Sequence, residues 1–356
     1  MSRYKAITKL LGANVGAKRM HLVFDDFTEM FALAFRNGVD LRGREAREER
    51  YLQIAGQYSR DQLSRFGEAF GLIVSNPPFV ITPRDAAVPE YEYRDGGLVG
   101  DALVEAFVRE APGHLVPGGS AQLLGNWESI GSDLGLRRLE SWIDPALDAW
   151  VVQREALSPL EYAELWIRDG GTTPREAGFE PLLNAWLDDF AARDVTEIGF
   201  GYVLLRRPAT EAGDALRRFE TLVQPVTSPG RAFREGLAGH DALADGIPDV
   251  LLVAPDVTEA RHHLPGQEAP SVIEVRQGGG FGRTLSVDPA LAGFVGACDG
   301  ELSVSQIVAA LADLLEVPMA DLWADLEPRI RRLVIDGFLV PAPDGIDPGS
   351  MRSHRS

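Results

Sequence analysis

Cysteine is nearly missing from this chain. Cys298 is the one copy in 356 residues, which excludes an internal disulfide and a cysteine-built zinc site. No run of eighteen apolar residues occurs and no signal-peptide pattern is present, so no membrane partner is expected and a cytoplasmic location is. The six histidines include no His-x-x-x-His pair, and adjacent side chains such as His262-His263 point in different directions, so no metal is expected. Gly-x-Ser-x-Gly is absent too, which leaves no sign of an elbow-borne serine nucleophile.

Positive charge is also short. Thirty-five Lys and Arg face 53 Asp and Glu, for a net charge of −18. Such a field repels phosphate backbones, which weighs against tight unspecific nucleic-acid binding and toward a protein or small-molecule substrate. What remains is the composition of a soluble globular protein, 45% hydrophobic and 25% charged, long enough for two or three domains.

The informative stretch is Gly71-Leu72-Ile73-Val74-Ser75-Asn76-Pro77-Pro78-Phe79-Val80. It reads as a buried strand running into a turn that two prolines make rigid. Pro77 and Pro78 donate no N–H, so their carbonyls and the Asn76 amide can converge on one point beside the Phe79 ring. A flat group bearing an NH2 would donate its hydrogens to the Asn76 side-chain oxygen and the Pro77 carbonyl, and stack on Phe79.

Asn76-Pro77-Pro78-Phe79 resembles the (Asp/Asn)-Pro-Pro-(Phe/Tyr/Trp) tetrapeptide of class I S-adenosylmethionine-dependent amino-methyltransferases. The resemblance implies transfer of a methyl group from S-adenosylmethionine to an exocyclic base amine or a protein glutamine, so the partner is a nucleic acid or a protein. It also implies an acid that holds the cofactor ribose at the end of an earlier strand. Asp26, with Thr28 two residues on, has that spacing; Asp26 with Glu29 is equally an ordinary capping box. The family's glycine-rich cofactor loop should lie roughly twenty residues before that acid. Only Gly12 and Gly16 lie upstream. Gly12 to Lys18 is no phosphate loop either, since that motif wants Gly before Lys and Ser or Thr after it. The sheet is therefore expected to be N-terminally incomplete, or its cofactor cradle lost. A third strand is suggested at Tyr51-Leu52-Gln53-Ile54, within a segment that reads equally as helix.

Downstream, Asp95-Gly96-Gly97 resembles the pattern that follows the proline turn in methyltransferases acting on release-factor glutamine. Asp95 is expected to cap a helix whose buried face includes Leu98, Leu103, Ala106 and Phe107. Tyr91 and Tyr93 are candidates for the substrate mouth. Pro117-Gly118-Gly119 reads as a turn into the strand Ala121 to Leu124, with Asn126-Trp127 at its carboxyl end facing the ligand crevice. A helix over 136–142, a strand over 149–152, helices over 159–167 and 180–192, and a last antiparallel strand over 198–207 complete the region. The expected site is thus Asn76, Pro77, Pro78 and Phe79 for catalysis, Asp26 and Asn76 for the cofactor, and Phe79, Tyr93, Asp95 and Asn126 for the substrate.

The fold class read from this pattern is α/β: an incomplete Rossmann-like methyltransferase sheet over 1–208, a β-rich connection over 209–284, a winged-helix-like module over 285–345 and a loose tail over 346–356. In the connection, Gly278-Gly279-Gly280-Phe281-Gly282 reads as a hairpin more readily than as a displaced cofactor loop. The module's helices are acidic apart from Arg329, Arg331 and Arg332, which favours packing or protein contact over DNA reading. A second reading of the whole is a methyltransferase-like scaffold that binds a partner and does no chemistry.

Overall fold

The computed structural model of the chain describes residues 51–55, 69–86, 88–89, 91, 94–210 and 213–342. Two compact units divide it, and among the described residues the boundary falls between Val223 and Gln224.

The first unit is a mixed α/β sheet. Six strands are described: β1 (Tyr51–Ala55), β2 (Phe70–Asn76), β3 (Leu115–Ile130), β4 (Asp148–Leu157), β5 (Val195–Arg206) and β6 (Arg217–Thr221), in the order β1-β2-β3-β5-β4-β6. β1 pairs parallel to β2 and β2 parallel to β3, β5 runs antiparallel to both β3 and β4, and β6 runs parallel to β4. The candidate at Tyr51 is therefore a strand, and not part of a helix. Parallel central strands are covered on both faces and so read as continuous apolar runs. β2 fits this, with Ile73, Val74 and Ser75 all buried.

Alternation along the strands sends side chains to two cores. Leu123 and Trp127 of β3, Ala149 and Val151 of β4, and Val203 and Leu205 of β5 pack on one face with α1 (Ala102–Glu110) and α2 (Gly135–Trp142). The opposite face carries α3 (Pro159–Asp169) and α4 (Phe179–Ala192), whose Tyr162, Ile167, Trp186 and Phe190 pack with Ile81 and Ile198. α1 buries Val104, Phe107 and Val108, whereas Leu98, expected on its buried face, is exposed. Pro117-Gly118-Gly119 is not a turn ahead of the strand: it lies inside β3, where the pairing with β2 shifts register between Phe70 and Leu72. A Cβ on Gly119 would come within 2.7 Å of the Phe70 carbonyl oxygen, so the glycine serves strand approach.

The second unit contains α5 (Pro229–Ala242), β7 (Leu251–Val253), β8 (Val257–His262), β9 (Val272–Gln277), β10 (Thr284–Val287), α6 (Pro289–Ala297), α7 (Val304–Leu315), α8 (Met319–Ile335) and β11 (Leu339–Pro341). β8, β9 and β10 form an antiparallel sheet in the order β10-β9-β8, and β11 pairs antiparallel with β7. Gly278 to Gly282 is the hairpin between β9 and β10. Phe294, Val308, Leu326, Ile330 and Phe338 centre its core.

Candidate active site

Beside the proline elbow lies a cavity of about 350 Å³. Its floor is the α3-side face of β3 and β5, where Leu124 stands opposite Tyr202 and Asn126 opposite Phe200. Tyr162, Leu165 and Trp166 of α3 roof it, and Phe79 closes one side with its ring centroid 5.5 Å from that of Phe200.

Two glycines shape the floor. In Ile198-Gly199-Phe200-Gly201-Tyr202 the large residues face the cavity and the glycines face the opposite core. There, Trp127 Nε1 donates to Gln153 Oε1 at 2.8 Å, and a Cβ on Gly199 would stand 2.3 Å from that nitrogen. Gly201 faces backbone: its Cβ would lie 2.0 Å from the Val152 carbonyl oxygen. The crowding reflects a bulge in β4. Gln153 pairs with Gly201 but Glu155 pairs with Phe200, so Arg154 is an extra residue and the alternation inverts beyond it. In an unbroken strand Glu155 would share a face with Gln153. Here it shares one with Phe200 and lines the cavity, as does Leu157.

The polar groups are few. Asn126 is 3% exposed, and its side-chain oxygen has no hydrogen-bond partner among the described residues. A buried acceptor left without a donor is unfavourable by about 1–3 kcal/mol. Tyr162 Oη accepts from the Ile81 N–H at 3.0 Å, and burial pushes its hydroxyl well above the usual phenol range, so it stays neutral. Two residues beyond Asn126, Glu128 pairs with Arg193; burial raises the Glu128 carboxyl, against the lowering effect of that guanidinium. Asp101 accepts from the Glu128 N–H at 2.8 Å and from Arg138 Nη1 at 2.6 Å. These charges answer one another and brace the carboxyl end of β3.

Asn76 ends β2, Pro77 and Pro78 are buried, and Phe79 lines the cavity. Phe79 bridges to Asp95 and the Val80 N–H donates to the Arg94 carbonyl at 2.8 Å, so the elbow and the Asp95-Gly96-Gly97 segment run side by side. A Cβ on Gly96 would be 3.1 Å from the Pro78 carbonyl oxygen. Asp95 does not cap α1; Asp101 occupies that position. The Asp95 carboxylate instead accepts from Arg84 Nη2 at 2.5 and 2.6 Å and from the Gly97 N–H at 2.8 Å. It stiffens the loop and does not line the cavity. Asp26 and Tyr93 lie outside the described residues. Sequence reasoning missed Glu155, Tyr162, Trp166 and Phe200, and the trace of Glu155 was indirect: a glycine on the neighbouring strand.

No family model matches the sequence, and no curated protein does. Among solved structures the chain is similar to phosphoethanolamine N-methyltransferase 2 of Haemonchus contortus, in complex with phosphomonomethylethanolamine and S-adenosylhomocysteine. The identity is 16% and the TM-score 0.20, over 39% of this chain and 33% of that one. A protein described as a sarcosine dimethylglycine methyltransferase of Galdieria sulphuraria shares 15% identity over 41% of this chain and 57% of its own, with a TM-score of 0.20. PKMT2 of Rickettsia typhi, in complex with AdoHcy, shares 7% over 81% of this chain and 66% of its own, with a TM-score of 0.26. The chain thus spans about a third of the Haemonchus enzyme and just over half of the Galdieria protein.

Proposed function

We propose that this chain is an S-adenosylmethionine-dependent methyltransferase acting on a planar amino or amide nitrogen, of a nucleic-acid base or a protein glutamine. The observation that carries this reading is the aromatic cavity beside Phe79, one residue past the Asn76-Pro77-Pro78 elbow at the carboxyl end of a parallel strand. In this reading the Asn76 side-chain oxygen and the Pro77 carbonyl accept the two hydrogens of the acceptor NH2, Phe79 stacks on its plane, and Asn126 meets its far edge. Asp95 acts through the loop it holds, and Tyr93 is assigned to the mouth and Asp26 to the ribose on their sequence pattern alone.

The cofactor's position is supported by register. Ala55 and Asn76 are paired, so β1 and β2 end side by side, where open Rossmann-like sheets take nucleosides. Asn76 is the described residue that would touch it. Bound there, S-adenosylmethionine supplies an electrophilic methyl group, and the chain's task is to position the nitrogen in line with it.

The C-terminal unit is read as a winged-helix-like module that packs or contacts protein. Its basic spot is committed: Arg329 pairs with Asp288 and Asp325, Arg331 with Glu327, and Arg332 with Asp336. Calorimetric titration with S-adenosylmethionine tests the enzyme reading. Saturable heat is expected. Its absence at millimolar cofactor would favour the scaffold that does no chemistry.

A further inference from the structure

The cavity's polar lining is one-sided. Asn126 offers a buried oxygen without a donor, and Glu155 offers a carboxylate that makes no ion pair among the described residues. Among the described residues no Lys, Arg or His lines it. One guanidinium does lie near: Arg94 sits 5.4 Å from the centroid of the Trp166 ring. That side chain is buried, donates to the Trp166 carbonyl, and is paired with Asp169 at 2.7 Å. The other described residues of the lining are aliphatic or aromatic side chains, and π-faces attract positive charge.

From these groups we propose that the cavity selects its guest by charge: it takes a flat head group that donates N–H and is neutral or cationic, and it rejects an anionic one. Asn126 is the fixed acceptor, and Glu155, carried into the cavity by the Arg154 bulge, is the charge-selecting residue. At about 350 Å³ the space lies at the small end of ligand pockets, which run from about 300 to 1,000 Å³. One ring system fits that size. A sugar-phosphate would have to stay outside, since none of the described lining residues answers its charge. In the enzyme reading, on which the identity of the guest as methyl acceptor rests, the acceptor therefore enters as a bare amino-heteroaromatic or amidine-like group with any phosphate left in solvent.

Benzamidine, benzamide and benzoate share one shape and differ in charge and N–H donors. Their binding to the full chain can be followed by ligand-observed NMR without any cofactor. Benzamidine is expected to bind about fivefold tighter than benzamide, the scale of a partly exposed ion pair, and benzoate to show no saturation. Glu155→Gln should bring benzamidine to within about twofold of benzamide. Asn126→Ala should weaken both together by up to about tenfold, the loss of one hydrogen bond in a dry site. Glu155 is exposed, so its variant folds even if the Asn126 variant does not. Benzoate binding as well as benzamidine, an unchanged order in Glu155→Gln, or no binding by any of the three overturns the proposal. A negative S-adenosylmethionine titration with the charge order intact would instead sink the enzyme reading alone.

Discussion

Gly201 shows how one missing side chain determines what another can do. A β-bulge brings the crossing strand's backbone toward its neighbour, and here the Val152 carbonyl occupies the space that an alanine Cβ would need, at 2.0 Å. Backbone cannot rotate aside as a side chain can. Gly201→Ala must therefore part β4 from β5 or remove the bulge, and removing it turns Glu155 out of the cavity. The variant is expected to lose about 1–3 kcal/mol of unfolding free energy, the usual penalty of overpacking, measured as a lower urea midpoint. The same variant should lose the preference for benzamidine over benzamide. A midpoint equal to that of the unsubstituted chain would mean that the strands pair without the bulge.

Helix α3 roofs the cavity, and its start is fixed by a capping box. Ser158 Oγ accepts from the Glu161 N–H at 3.3 Å, while Glu161 Oε2 accepts from the Ser158 N–H at 2.9 Å. Hydrogen bonds from the Ser158 hydroxyl, and then from its backbone N–H, hold the Glu161 carboxyl below the usual value of 4.5. The folded value is lowered, so the stabilisation is present above the unfolded value and disappears as the pH falls through the folded one. Thermal unfolding of the chain and of Glu161→Gln should differ at neutral pH and converge in acid, and a difference independent of pH would contradict the box. Such boxes are legible in sequence, as are the Asp288-Pro289 and Ser303-to-Gln306 helix starts, because caps act within four residues. The Ile198-to-Arg207 strand is legible through its alternation. The bulge is not, since its cause sits on a different strand, and Pro117-Gly118-Gly119 misleads because turn chemistry also serves a strand that must pass close to its neighbour. The Asp95–Arg84 pair escaped for a similar reason: a carboxylate before two glycines looks like a cap until a guanidinium eleven residues upstream claims it. The elbow was readable because proline acts locally. The cavity beyond it was not, since α3 and β5 bring its roof and floor from far along the chain.

Across the whole molecule the charges argue against a polyanion held by field alone. The net charge is −18, and the guanidinium groups of Arg329, Arg331 and Arg332 each lie against a carboxylate within 3.4 Å. Unspecific DNA binding arises when free Lys and Arg displace counterions from phosphates, and it is reached at about 10⁻⁴ to 10⁻⁶ M in physiological salt by proteins that possess such a stripe. A fluorescently labelled random duplex mixed with the full chain should therefore show no saturable rise in anisotropy at micromolar protein. This outcome is compatible with a base amine as acceptor, because the cavity would hold a single exposed ring through Asn126, Glu155 and its aromatic faces, with the phosphates left outside. Micromolar binding that weakens steeply with added salt would contradict the charge argument. It would show that the chain gathers positive charge into a stripe beyond these ion pairs, and the acceptor would then be sought among nucleic acids that bind through their backbone.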